Sequence, residues 1–121
     1  MYSVGIDCVE IRRIEKSIES QAFRNRVFGI NEMLEIEKRG SKPINYAVCF
    51  GAKEAFSKSL GTGISGFLLS EVELVHKDNG KPFLKLSGAA AKLAEKMCFD
   101  VSVTHTDSMV TVVVISYPEG E

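Results

Sequence analysis

Phe50-Gly-Ala-Lys-Glu-Ala-Phe-Ser-Lys-Ser-Leu-Gly-Thr-Gly63 is the stretch on which the reading of this chain turns. Tyr46, Ala47 and Val48 extend its apolar residues upstream, onto nearly every side of one long helix. Pro43 suits the first turn of that helix, and glycines close it after Leu60. A helix that is apolar around most of its circumference is buried, so Lys53, Glu54 and Lys58 need partners. Glu54 and Lys58 are four residues apart and share a face. Two readings are open here: an ion pair on the one wet face, or a site that holds a ligand, with the glycine-rich exit letting backbone N–H groups come close.

Upstream, residues 2–9 alternate like a strand, with Val4, Ile6 and Cys8 facing one way and Asp7 the other. An aspartate at a strand end serves as a turn or cap residue, or as a ligand. Ile11, Ile14, Ile18, Val27 and Phe28, spaced among charges, predict amphipathic helix over residues 10–28, broken near Ser20. Its charges read first as a solvated face, and Arg13, Arg24 and Arg26 beside Phe23 read second as a basic patch for an acidic partner. Asn31 is the expected N-cap of a short structural helix over residues 32–39, with Gly40 as its stop.

Downstream, residues 71–76 alternate like a strand, Asp78-Asn79-Gly80-Lys81 marks a tight turn and residues 82–86 return as the partner strand. His76 has no companion at metal-ligand spacing and is expected on a strand surface. Ser87 is the expected cap of an alanine-rich helix over residues 88–97. Residues 100–107 and 110–117 then predict two tightly joined strands, the second the most buried of the protein, and residues 118–121 a fraying tail. His105, flanked by Thr104, Thr106 and Asp107, fits both a satisfied structural histidine and a ligand-facing one.

At 121 residues the chain is expected to form one domain, residues 1–121, small enough that self-association would add burial. Fifteen basic against sixteen acidic residues supply no global field that would draw nucleic acid or an anionic membrane. No apolar run has membrane-spanning length and the first residues lack a basic start, so an intracellular protein without a membrane segment is expected. Cys8, Cys49 and Cys98 lie far apart without a Cys-x-x-Cys pair, and read as reduced, partly buried small residues. Asp7, Glu54, Lys58, His105 and a glycine-rich helix exit are the parts a magnesium–diphosphate site requires: few carboxylate ligands, a cation, close backbone. No Walker-type Gly-x-x-x-x-Gly-Lys-Ser/Thr loop occurs.

Four motifs occur in order along nearly the whole chain: Gly5-Ile-Asp7-x-Val-Glu-Ile-x-Arg13-Ile, Phe50-x-Ala-Lys-Glu54-Ala-x-x-Lys58-x-Leu-Gly-Thr-Gly63, Asn79-Gly-Lys-Pro82 and Ser102-x-Thr-His105. Together they resemble the bacterial holo-[acyl-carrier-protein] synthases. The resemblance implies an α+β fold, an antiparallel sheet packed with helices, in a homotrimer with sites between subunits. It implies a magnesium-dependent enzyme of fatty acid biosynthesis, cytoplasmic, that moves the 4′-phosphopantetheine arm of coenzyme A onto a serine of apo acyl carrier protein and releases adenosine 3′,5′-bisphosphate. Carried over by position, Asp7 and Glu54 are the Mg²⁺ ligands and Lys58 faces the phosphates. Glu54, or a water it orients, is the base. Gly61, Asn79, Gly80, Pro82, His105 and Thr106 contact coenzyme A, and Arg13, Phe23 and Arg26 meet the acidic helix of the carrier, which revives the basic patch. Two positions depart from the pattern: Cys49 stands where relatives commonly carry a phosphate-binding arginine, and Gly51 where they carry alanine. The competing reading is a non-catalytic module that binds carrier protein or coenzyme A.

Overall fold

A computed structural model describes residues 1–61, 63 and 65–120. The chain runs β1 (Ser3–Glu10), α1 (Ile11–Ser17), α2 (Gln21–Val27), α3 (Ile30–Lys38), α4 (Pro43–Leu60), a single 3₁₀ turn (Leu69–Glu71), β2 (Val72–His76), β3 (Pro82–Leu86), α5 (Gly88–Leu93), β4 (Met97–His105) and β5 (Met109–Pro118). All strand pairs are antiparallel: β1-β5-β4 form one sheet and β2-β3 a hairpin. This is the expected α+β arrangement.

The central helix is where its sequence places it. Pro43 occupies its first turn and Gly61 ends it in the left-handed region, at φ 74°. It lies across the inward face of the three-stranded sheet, against the fully buried row Val110, Val112, Val114 and Ser116 of β5. Gly5 makes the close approach possible: a Cβ there would stand 1.9 Å from the carbonyl oxygen of Ala55. Gly51 plays the same part against β5, where a Cβ would fall 2.9 Å from Val112 Cγ2. The chain's glycine at this position thus seats the helix on Val112.

Several expectations need correction. In β1 the core-facing residues are Gly5 and Val9, with Asp7 half-buried between them. Val4 and Ile6 are 62% and 55% exposed, so the apolar set of the alternation points away from the core. Gly29, not Asn31, is the N-cap of α3, because the Glu32 carboxylate accepts the Gly29 N–H at 2.9 Å while Asn31 turns its amide to Glu73. The alanine-rich helix stops at Leu93, since Lys96 adopts φ 64° and Met97 already belongs to β4. Ser87 sits at its N-cap position but makes no side-chain capping bond. The most continuously buried strand is β2, whose first four residues are all buried, whereas β5 alternates. The chain end is held, Glu119 donating its N–H to the Lys96 carbonyl at 2.8 Å; Thr62 and Glu121 lie outside the described residues.

Candidate active site

Asp7 sits on β1 opposite Val112, on the inward side of the sheet, and α4 passes over it. That crossing brings Glu54 and Lys58, one helical turn apart, to the same corner. The Lys58 ammonium lies 3.3 Å from Asp7 Oδ1 and donates to the Ile6 carbonyl at 2.9 Å. Among the described ion pairs Lys58 is matched with Asp7 and not with Glu54, so the ion pair within the helix is not the one formed. Partial burial, and next the charge of Asp7, push the Glu54 carboxyl above its ordinary range, with Lys58 working the other way.

Asp7 and Glu54 open on a cavity of about 320 Å³ whose other walls include Arg13, Ser17, Phe23 and Phe50. Phe23 packs against Phe28 and Phe50, and the Arg26 guanidinium stands 5.9 Å from the Phe23 ring centroid. Arg13 and, through Phe23, Arg26 are therefore neighbours of the paired carboxylates, a relation their separation along the chain does not announce, whereas Arg24 turns to the Ile18 carbonyl.

A second cavity, about 660 Å³, lies on the opposite flank of α4, beside Asn45, Val48 and Cys49. Arg39, Lys42, His76, Lys81, Pro82 and His105 surround it. His105 is exposed, its Nδ1 3.2 Å from the Thr106 carbonyl, and the Thr106 hydroxyl accepts the N–H of Met109 at 3.1 Å. In the hairpin turn, Asn79 Oδ1 accepts the Lys81 N–H at 3.0 Å, Gly80 takes φ 89° and the Lys81 ammonium meets Asp100 at 2.8 Å. His76 is not a surface bystander: Glu35 accepts its backbone N–H at 3.0 Å and lies 2.8 Å from its Nδ1. Cys49 is buried with its thiol 3.8 Å from the Leu74 carbonyl, and desolvation, ahead of nearby Glu32, pushes it well above the ordinary thiol range, which makes it an unreactive core residue.

Within the chain these two sets do not meet. His105 pairs with Val110 and Asp7 with Val112, which puts them two strands and one inward row apart, on the order of 12 Å between Cα atoms. The central helix stands between their cavities. Among the described residues none would stand within 4 Å of a Cβ at Gly61, and its left-handed φ is what calls for glycine. The sequence reading missed Lys53's partners: fully buried, it contacts Glu32 and donates to the Val72 carbonyl. Its position on an apolar helix signalled a partner, but nothing in the spacing named Glu32.

The chemistry available at the first cavity is that of two hard carboxylates, one with a raised affinity for protons, next to a primary amine and a basic, aromatic surface. Two oxygen donors with open surroundings suit a magnesium ion that keeps water and phosphate in its other positions. Among the described residues no cluster of three or more His, Cys, Asp or Glu side chains is positioned to enclose a metal.

Comparison with known proteins shows the family and the fold. The 4′-phosphopantetheinyl transferase superfamily profile matches residues 3–111. The holo-[acyl-carrier-protein] synthase of Fusobacterium nucleatum is 36% identical over 119 residues, covering 95% of this chain and 98% of that one. That of Treponema denticola is 38% identical over 119 residues, covering 95% and 97%. The crystal structure of the holo-[acyl-carrier-protein] synthase from Neisseria meningitidis superposes with TM-score 0.87 at 29% identity, over 95% of this chain and 97% of that one. The Bacillus anthracis holo-(acyl-carrier-protein) synthase, solved in complex with CoA (3′,5′-ADP), gives TM-score 0.79 at 31% identity over 94% of each chain.

Proposed function

The chain belongs to the 4′-phosphopantetheinyl transferase superfamily, and from that membership we infer that it is a holo-[acyl-carrier-protein] synthase, transferring the 4′-phosphopantetheine arm of coenzyme A to a serine of apo acyl carrier protein. The observation that carries the reading is the smaller cavity, where Asp7 and Glu54 share one space with Arg13 and Phe23. A carrier docked by its acidic helix on α1 and α2 would present its serine to the carboxylates beside it.

In this reading the serine oxygen attacks the phosphorus that bears the pantetheine arm. The bond from that phosphorus to the bridging oxygen breaks, and adenosine 3′,5′-bisphosphate leaves. Glu54, whose carboxyl is raised in proton affinity by partial burial and by Asp7, takes the serine proton. Asp7 and Glu54 would hold Mg²⁺, which when bound offsets phosphate charge and orients the diphosphate. Lys58, tied to β1 but half exposed at its tip, adds a cation for the diphosphate. Arg13 and Arg26 attract the acidic helix and Phe23 offers it an apolar anchor.

The larger cavity is proposed to take the rest of coenzyme A. The Asn79-Gly80-Lys81-Pro82 turn, which reaches the cavity at Lys81 and Pro82, would contact the nucleotide together with His105 and Thr106. Arg39 and Lys42 bring positive charge to the same wall where Cys49 brings none. Since α4 separates the two cavities, a complete site calls for a neighbouring copy, and the bare sheet face of Val4, Ile6 and Ile115 offers a surface for it. We propose a homotrimer with three shared sites. The acceptor is proposed to be the carrier of fatty acid biosynthesis and the location the cytoplasm; among the described residues no helix is long and apolar enough to cross a membrane.

The test is incubation of apo carrier protein with coenzyme A and enzyme, with and without Mg²⁺, read by mass spectrometry of the carrier. A gain of one phosphopantetheine on the serine, dependent on Mg²⁺, is the expected result. A carrier of unchanged mass would refute the reading.

A further inference from the structure

Lys53 stands next to Glu54 in α4, is fully buried, and takes no part in the reaction above. Its ammonium contacts the Glu32 carboxylate, donates to the Val72 carbonyl at 2.5 Å and lies 5.6 Å from the centroid of Phe28. Glu32, equally buried, accepts the N–H of Gly29 at 2.9 Å and of Leu74 at 3.0 Å. Glu73, beside Leu74, accepts the Glu32 N–H at 2.9 Å and the Asn31 amide at 3.0 Å. Gly29 leaves room for this: a Cβ there would fall 2.4 Å from Glu73 Cδ.

Stability alone does not account for such a network. A buried ion pair replaced by well-packed apolar residues is often neutral or stabilising, because two charges must be taken from water to form it. What the network supplies is geometry. It fixes three successive residues of β2 and the first turn of α3 to α4, one residue from Glu54. The same two elements run on to wall the larger cavity: α3 carries Glu35 and ends at its C-cap Arg39, β2 carries His76, and Glu35 clamps His76 by backbone and ring.

We propose that Lys53 is a positioning residue for coenzyme A: with Glu32 it sets α3, β2 and the hairpin beyond His76 at the spacing from α4 that the nucleotide requires. The proposal rests on coenzyme A being the ligand of the larger cavity. It adds to that reading a buried residue that touches neither substrate and acts through the walls it holds.

The test uses the full-length enzyme with the neutralised pair Glu32→Gln/Lys53→Met. Circular dichroism and thermal melting report the fold, and KM is measured separately for coenzyme A and for carrier protein, well below the melting temperature. The expected result is a folded protein whose KM for coenzyme A rises about tenfold while that for carrier stays within about twofold, since Arg13 and Phe23 lie outside the network. A folded pair variant with both KM values of the wild type overturns the proposal, as a merely structural role would give. If the pair variant does not fold, Asn31→Ala, on the rim of the network, decides: a rise of about two- to threefold in KM for coenzyme A alone supports the proposal, and no change overturns it. A wild-type enzyme that fails to modify any carrier would instead sink the functional reading, and this inference with it.

Discussion

Lys58 Nζ lies 3.3 Å from Asp7 Oδ1, joining the last turn of α4 to the first strand and leaving Glu54, one turn earlier, without that cation as an ion-pair partner. A carboxylate half-buried beside another carboxylate is poorly satisfied in isolation, and both a proton and a divalent cation relieve it. The placement of Lys58 on Asp7 therefore leaves the Glu54 carboxylate open to a proton or a cation.

Glu54→Gln is expected to lower the turnover rate by about 10²- to 10⁴-fold, since a neutral amide neither takes the serine proton nor binds a cation well. Its circular dichroism should match that of the wild type, and its thermal midpoint should be no lower. Turnover within severalfold of the wild type would remove Glu54 from the role of base.

The protonation of Glu54 links stability to pH. Its folded-state value is raised above the ordinary 4.5 by partial burial and by Asp7. Between 4.5 and the raised value the folded chain holds a proton that the unfolded chain has lost, so stability falls as pH rises through that window. The metal-free wild type should thus lose thermal midpoint relative to Glu54→Gln as pH increases from 4.5, and added Mg²⁺ should restore it. Melting curves that stay parallel across this range would contradict the environment described for Glu54.

Arg13→Ala should raise KM for carrier protein by about three- to tenfold, leave KM for coenzyme A unchanged and flatten the dependence of carrier KM on salt, because a rim charge acts mainly through encounter. Steady-state kinetics at two ionic strengths check this. A shift in coenzyme A KM instead would place Arg13 on the nucleotide.

Ile6→Lys places a charge on the sheet face that is bare in one protomer, with Ile6 55% exposed. It should leave the protomer fold intact, reduce the sedimenting mass from three chains to one and abolish transfer. A variant that keeps the wild-type mass would put the subunit contact elsewhere.

Much of this was readable before any coordinates. The limits of α4 follow from Pro43 and Gly61, and the hairpin from Asn79-Gly80, because both depend on local backbone chemistry. The orientation of β1 was not, since alternation gives two faces without saying which is covered. Val4 and Ile6 look like core residues because they are apolar, yet Gly5 faces the helix for want of a side chain. The role of Lys53 was hidden for a related reason: Glu32 and Glu73 lie on other elements, and long-range hydrogen bonds leave no period in a sequence. Asp7, Glu54, Lys58 and Arg13 are candidates on their chemistry and take their roles from the resemblance; the crossing of α4 over β1 brings the first three together, and α1 sets Arg13 beside the same cavity. His105 and the Asn79 to Pro82 turn were named in the same way and lie across the helix from them, which only the packing of α4 reveals.

The most direct test of a site shared between copies is subunit complementation. Glu54→Gln and His105→Ala chains are purified separately, mixed, dissociated and reassembled, and the transfer of phosphopantetheine to carrier protein is followed by mass spectrometry at coenzyme A below the wild-type KM. Mixed assemblies hold interfaces at which an intact Glu54 faces an intact His105, so transfer should appear on mixing well above that of either variant alone. If the reassembled mixture is no more active than the two variants while reassembled wild type regains its activity, the two halves of the site belong to one chain and the shared-site account is wrong.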